Sequence, residues 1–375
     1  MIETQSLSQA QNGNIEAQYD LGIRYLFGDG LEKNPATAVH WLKKAAEQGH
    51  NHAQYLLGNC YSKGEGVTQN QTEAIYCYEK ASENGHDLAQ YRLGVCYING
   101  NGVNRDLQKA VFWLEKSAVQ ENEYAQNILG VFYSDTNPEL SVYWHKRAAN
   151  SGNLESMIRL AHLFFDNKKY ERDIDVAIEW AEKAAEKDSI EGMLIASNLL
   201  SIRARLSKST GWFRDALDDL MKATKMIETA IQHGYKQENA AEELSSLFNL
   251  SGDCYYKENC HSEAVECYKK SNKHNSILQL GIISTLEQKV RFSTDDQRGI
   301  FNRLAGILPS NELDQLDNAT GFYVLSEMLR YGEGIPQNLD SAYNCMLRAS
   351  NLGFEPAKKV LRSYIRNAHG NWEIH

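Results

Sequence analysis

The sequence predicts an all-α protein, a right-handed α/α superhelical solenoid of stacked helix pairs, and three observations carry that prediction. The block Ala-Gln-x-x-Leu-Gly-x-x-Tyr begins at Ala17, Ala53, Ala89 and Ala125, 36 residues apart each time. A fixed period of roughly 20–50 residues marks supersecondary units stacked in series. Gly-x-Gly pairs follow at Gly28/Gly30, Gly64/Gly66 and Gly100/Gly102, and return at Gly332/Gly334; glycine stops a helix there by taking positive φ. A second helix then repeats the step Ala-x-x-Trp at Ala38/Trp41, Ala110/Trp113 and Ala177/Trp180, and closes on Lys-Ala-Ala or a close variant.

Residues 1–16 precede the first block and are expected to cap the stack. Residues 17–191 hold five units: 17–52, 53–88, 89–124, a shortened 125–155 and 156–191. In the shortened unit Ser134-Asp135-Thr136-Asn137-Pro138 replaces the Gly-x-Gly turn, and the fifth unit has Ser156 for the Ala. Within a first helix, Ala53, Leu57, Gly58 and Tyr61 share one face, which must be buried. Cys77 and Cys345 take the Trp place after Ala74 and Ala342, and Trp144 follows Ser141. Small residues ending the second helix let the next unit approach closely.

Residues 192–239 read as a longer, divergent helical pair with Ser207 to Gly211 as its loop, and 240–275 as a further pair with a shorter turn. Residues 276–319 form an irregular helical segment broken at Pro309-Ser310-Asn311. Residues 320–375 recover the repeat, and the polar and aromatic end from Asn367 to His375 is a cap or a tail. One pair buries too little surface to stand alone, so stability is expected to come from faces shared between neighbours.

The chain has 375 residues, 39 Lys and Arg against 49 Asp and Glu, and a formal charge of -10. Residues 1–200 carry 18 basic and 27 acidic side chains, so the acidic excess lies in the regular half. That balance argues against a nucleic-acid partner, whose phosphates demand clustered cations. No apolar run is long enough to span a bilayer, so no membrane partner is expected. The opening residues show no basic stretch leading into an apolar one, and the seven cysteines are odd in number; reduced thiols and a cytoplasmic location are expected.

Motifs of catalysis are missing: there is no phosphate loop, Gly-x-Ser-x-Gly, His-Glu-x-x-His or Cys-x-x-Cys. The Gly-x-Gly pairs follow helices and are turns. Cys254, Cys260, His261 and Cys267 are spaced too widely at one step and too tightly at another for a zinc site, and Cys254 and Cys267 sit at the repeat positions of Cys60 and Cys77, which favours packing. No cofactor, metal, small-molecule substrate or enzymatic activity is expected, a hydrolase site on the solenoid being the competing class.

The run Ala-x-x-Leu-Gly-x-x-Tyr-x-x-Gly-x-Gly-Val, followed by Lys-Ala-x-x-Trp-x-x-Lys-Ala-Ala, resembles the Sel-one-like repeat, a relative of the tetratricopeptide repeat. The clearest copy has Leu93-Gly94, Tyr97, Gly100, Gly102-Val103, Asp106, Lys109-Ala110 and Trp113. The resemblance covers 17–191 and again 320–357, while 240–275 is closer to the tetratricopeptide form. It implies a superhelix whose first helices line a concave groove that holds another protein or peptide. A sharper form of the same implication is a bacterial adaptor or immunity-type protein that sequesters a toxin or a secretion component.

Carried through the shared Leu-Gly-x-x-Tyr, the resemblance assigns groove positions. Two residues before the Leu stand Tyr19, Tyr55, Tyr91 and Asn127; two after it stand Ile23, Asn59, Val95 and Val131. Beyond the repeat Tyr come Phe27, Lys63, Asn99 and Asp135, and the C-terminal copy offers Tyr323, Glu327, Arg330 and Tyr331. The tyrosine ladder has two readings at this point, a grip on a partner or packing against the next helix. Asn59, Lys63, Asn99 and Asp135 vary at constant positions, so they are the candidates for specificity.

Overall fold

The computed structural model describes residues 2–166, 173–271, 273–283, 292–308, 315–332, 335–366 and 372–374. The expected break at Pro309 to Asn311, Gly334, and most of 367–375 lie outside the described residues. The chain divides into two compact units, Met1–Trp180 and Ala181–His375.

In the first unit α1 (Ile2–Gln11) precedes four helix pairs. These are α2 (Ile15–Phe27) with α3 (Pro35–Glu47), α4 (Asn51–Lys63) with α5 (Gln71–Glu83), α6 (Asp87–Asn99) with α7 (Leu107–Val119), and α8 (Glu123–Tyr133) with α9 (Pro138–Asn150). Then come α10 (Leu154–Asp166) and the start of α11 (Ile174–Ala185). From α1 to α10 each helix packs on the next in sequence, the nearest-neighbour architecture of a solenoid.

The local chemistry of each pair explains its boundaries. First helices open on Asn14, His50, His86 and Asn122, whose side chains accept the N–H three residues on; second helices open on Asn34, Asn70, Asp106 and Asn137 in the same way. Such caps satisfy an orphan donor at the helix start. Gly64 ends α4 with φ 74°, a left-handed conformation that a side chain resists. Gly58 serves close approach instead: a Cβ there would stand 2.6 Å from the Tyr78 ring. The two helices of the pair therefore touch through a missing side chain.

The second unit uses longer helices: α12 (Ile190–Thr210), α13 (Phe213–Gln232) and α14 (Gln237–Lys257), then α15 (His261–Lys270), α16 (His274–Ile282), α17 (Thr294–Ile307), α18 (Gln315–Tyr331), α19 (Leu339–Asn351) and α20 (Glu355–Leu361). The expected loop from Ser207 is instead the last turn of α12. Its Ser209 and Thr210 hydroxyls donate back to the Leu206 carbonyl, and the chain turns at Gly211, φ 88°. A two-stranded antiparallel ribbon, β1 (Tyr364–Arg366) with β2 (Trp372–Ile374), closes the chain, Tyr364 opposite Ile374. Its form is one that a helical period does not announce.

Candidate partner-binding surface

Each tyrosine of the ladder lies half-buried across the seam to the next first helix. Tyr19 stacks on His50 at 4.2 Å between ring centroids and Tyr55 on His86 at 4.7 Å. Tyr91 meets Tyr124 at 5.8 Å, and Tyr323 meets Phe354 at 5.1 Å. The partner ring belongs to the N-cap of the following first helix, or in Tyr124 to its first turn. Burial raises the phenol pKa of Tyr19, Tyr91 and Tyr323. Asn127, in the fourth place, is buried; its Nδ2 donates to Glu155 at 3.0 Å and its Oδ1 accepts from Ser156 at 2.8 Å. The same position thus ties consecutive units together by ring contacts in four places, two of them stacked, and by amide hydrogen bonds in one.

The other assigned residues divide by exposure. Asn59 is half-buried and its Oδ1 accepts from the Tyr78 hydroxyl at 2.8 Å, whereas Lys63 and Asn99 stand exposed at the ends of α4 and α6 and Asp135 in the turn after α8. In the last repeat Glu327 is 8% exposed, with its carboxyl pKa raised by burial against the opposing pull of Arg330. Arg330 lies 3.5 Å from Glu327 and over the rings of Tyr331 and Tyr364 at 5.2 and 5.8 Å. Tyr331 is 62% exposed.

One column was missed in the sequence. One residue before the repeat Ala stand Glu16, His52, Leu88, Tyr124 and, before Ser156, Glu155. His52 comes within 6.1 Å of Tyr19, and its Nδ1 lies 3.0 Å from His86 Nε2. His86 Nδ1 accepts the Ala89 N–H, so its proton sits on Nε2 and is donated to His52. Burial, followed by the neighbouring His52, lowers the His86 pKa. Tyr19, His50, His52, His86 and Tyr55 thereby form one continuous aromatic edge over α2, α4 and α6. The signal was available: this column changes from unit to unit at constant position, as Lys63 and Asn99 do.

Burial holds the buried thiols in the protonated form. Burial pushes Cys60 up to about 11 and Cys77 up to about 12, far from the depressed values of reactive cysteines. Cys254, Cys260 and Cys267 are spread over α14, the α15 N-cap and α15. Among the described residues no three His, Cys, Asp or Glu are grouped to hold a metal ion, and no helix is long and apolar enough to cross a membrane.

Stacked helix pairs with glycine-paired turns and a ring ladder at the seams define a repeat scaffold of the tetratricopeptide kind. The Sel1 repeat pattern matches residues 15–50, 51–86, 87–121, 123–153, 154–189 and 323–354, more than half of the chain, and the chain belongs to the Sel1 repeat family. It is similar to c5321, a protective antigen of uropathogenic Escherichia coli strains with the same repeat fold, at 24% identity over 94% of this chain and 80% of that one, TM-score 0.51. It is also similar to a Sel1 repeat protein from Oxalobacter formigenes, at 31% identity over 51% of this chain and 80% of that one, TM-score 0.47. No curated protein matches the chain. The fold is a typical scaffold for protein interaction.

Proposed function

We propose that the protein is a non-enzymatic adaptor whose first-helix face in residues 17–191 holds an extended segment or a helix of a partner protein. The observation that carries this reading is the aromatic edge itself. Tyr19 and Tyr55 stack on rings of the next unit and Tyr91 meets one at a tilt, yet all three remain partly exposed, so they present rigid ring area at low entropic cost on binding. Lys63, Asn99 and Asp135 beside them supply variable polar contacts. The acidic excess of this half favours a partner segment with basic residues, which long-range attraction would steer. The assigned residues of the last repeat, Tyr323, Arg330 and Tyr331, offer a separate place of the same chemistry in the second unit.

The test compares capture of partners by the wild-type chain and by the combined variant Tyr55→Ala, Tyr91→Ala, Lys63→Glu. Capture is expected to fall at least tenfold while helicity by circular dichroism is kept. Undiminished capture by a folded variant would remove the first-helix face from the function.

A further inference from the structure

The Trp place of the second helix is filled in a telling way. Trp41 packs in one cluster with Ala10, Leu21 and Tyr25, and a cation lies over the indole: Lys44 over Trp41 at 4.8 Å, Lys116 over Trp113 at 5.0 Å and Arg147 over Trp144 at 5.6 Å. One period after Ala10, Leu21 and Tyr25 stand Ala46, Leu57 and Tyr61, but the indole is replaced by the thiol of Cys77. Those three residues and Cys77 line a cavity of about 500 Å³ between α3, α4 and α5. Lys80, the counterpart of Lys44, lies at its rim over Tyr76, a ring 58% exposed.

A second observation falls in the same cavity. Gln54 lines it, is 8% exposed, and its Oε1 is buried with no hydrogen-bond partner among the described residues. In the flanking units the equivalent oxygens accept from a glutamine of the second-helix C-cap, Gln48 to Gln18 and Gln120 to Gln90, both at 2.8 Å. At that C-cap the second unit of the repeat has Asn84, one methylene shorter. Gln126 Oε1 also lacks a donor, with Ser151 at its C-cap, but there Trp144 is present. Only in the repeat of Cys77 do a missing indole and an unmet acceptor coincide among these four units.

We propose that this cavity binds a tryptophan side chain of a partner polypeptide, in the manner of the indoles that fill its sister units. The ring enters between α3 and α5 over Leu57 and Cys77, Lys80 comes over its face, and Gln54 Oε1 accepts an N–H of the incoming residue. The face concerned is that of the second helices, so the site is independent of the first-helix groove.

The experiment titrates the full chain with the capped tripeptide Ac-Gly-Trp-Gly-NH2 and follows amide shifts by NMR. The expected result is saturable binding with a dissociation constant on the order of 1 mM, with shifts at Gln54, Tyr76 and Lys80. Cys77→Trp fills the cavity from within and is expected to weaken binding at least tenfold. Two surface changes guard against misfolding: Asn84→Gln, which supplies Gln54 with its missing donor, and Lys80→Glu are each expected to weaken binding about threefold, near the effect of a single weak contact. The peptide with Leu for Trp is expected to bind at least tenfold more weakly. Wild-type affinity in the surface variants, equal binding of the Leu peptide, or free indole binding as tightly as the tripeptide would each overturn the proposal.

Discussion

The two units of the chain build helix pairs from different materials. In the first, thirteen-residue helices are fixed by short, repeated devices: an Asn or His cap, a glycine where helices touch, a ring across the seam. In the second, helices of 20 and 21 residues are tied by charge. Arg203 makes a two-point pair with the buried Asp219, at 2.9 and 2.7 Å. Lys208 reaches Asp253 at 2.6 Å, and Asp253 also accepts from the fully buried Tyr268 at 2.8 Å. Where the period is regular, each residue needs to solve only a local problem. Where helices lengthen, the pairs must be locked by contacts that no period repeats.

The contrast can be broken from the charged side first. Arg203→Ala strands the buried Asp219 carboxylate and is expected to destabilise the second unit by about 4 kcal/mol, while hydrogen exchange in α2 to α9 stays unchanged. From the regular side, Gly58→Ala drives a methyl into the Tyr78 ring and is expected to cost the first unit about 3 kcal/mol, read by urea unfolding.

Acid separates the units further. His145 is buried against Gly130, and burial, followed by Arg159, lowers its pKa to about 4 with Glu155 opposing. A lowered folded-state value means that the unfolded chain binds more protons below its own value near 6.5. The stability is therefore full above about pH 6.5 and is lost as pH falls toward 4, amounting to about 2 kcal/mol between pH 7 and pH 4.5. His145→Gln is expected to flatten that dependence in a pH series of melting curves. The smallest effect has the opposite sign: among the described residues nothing lies near the Cβ direction of Gly306 in α17, so Gly306→Ala is expected to stabilise the second unit by about 0.8 kcal/mol. A loss there instead would show that its glycines are also constrained.

The regular half was legible because its signals are local. The block beginning at Ala53 fixes α4, Gly64 ends it, and Asn70 starts α5. The end of α12 was not, because Ser209 and Thr210 read as turn formers until their hydroxyls are seen bonding back along the helix. The terminal ribbon was hidden for another reason: Tyr364 and Ile374 pair across the intervening chain, and no helical period encodes that pairing. At the candidate surface, the sequence left Tyr19 and Tyr55 between a grip on a partner and packing against the next helix, and did not show their ring partners His50 and His86. A histidine at a helix start reads first as a cap, and only the fold brings it under a ring from the preceding unit.

The adaptor reading predicts that partners contact the first-helix face of the regular unit and not the long helices α12 to α14. The direct measurement is photo-cross-linking in the native cell extract, with a benzophenone amino acid placed at Asn99, at the end of α6, or at Leu206, 56% exposed on α12. The account predicts a discrete cross-linked partner from position 99 that disappears with Tyr55→Ala and Tyr91→Ala, and none from position 206. The same partner captured from position 206 alone, or a product at 99 that survives loss of both tyrosines in a folded chain, would contradict it.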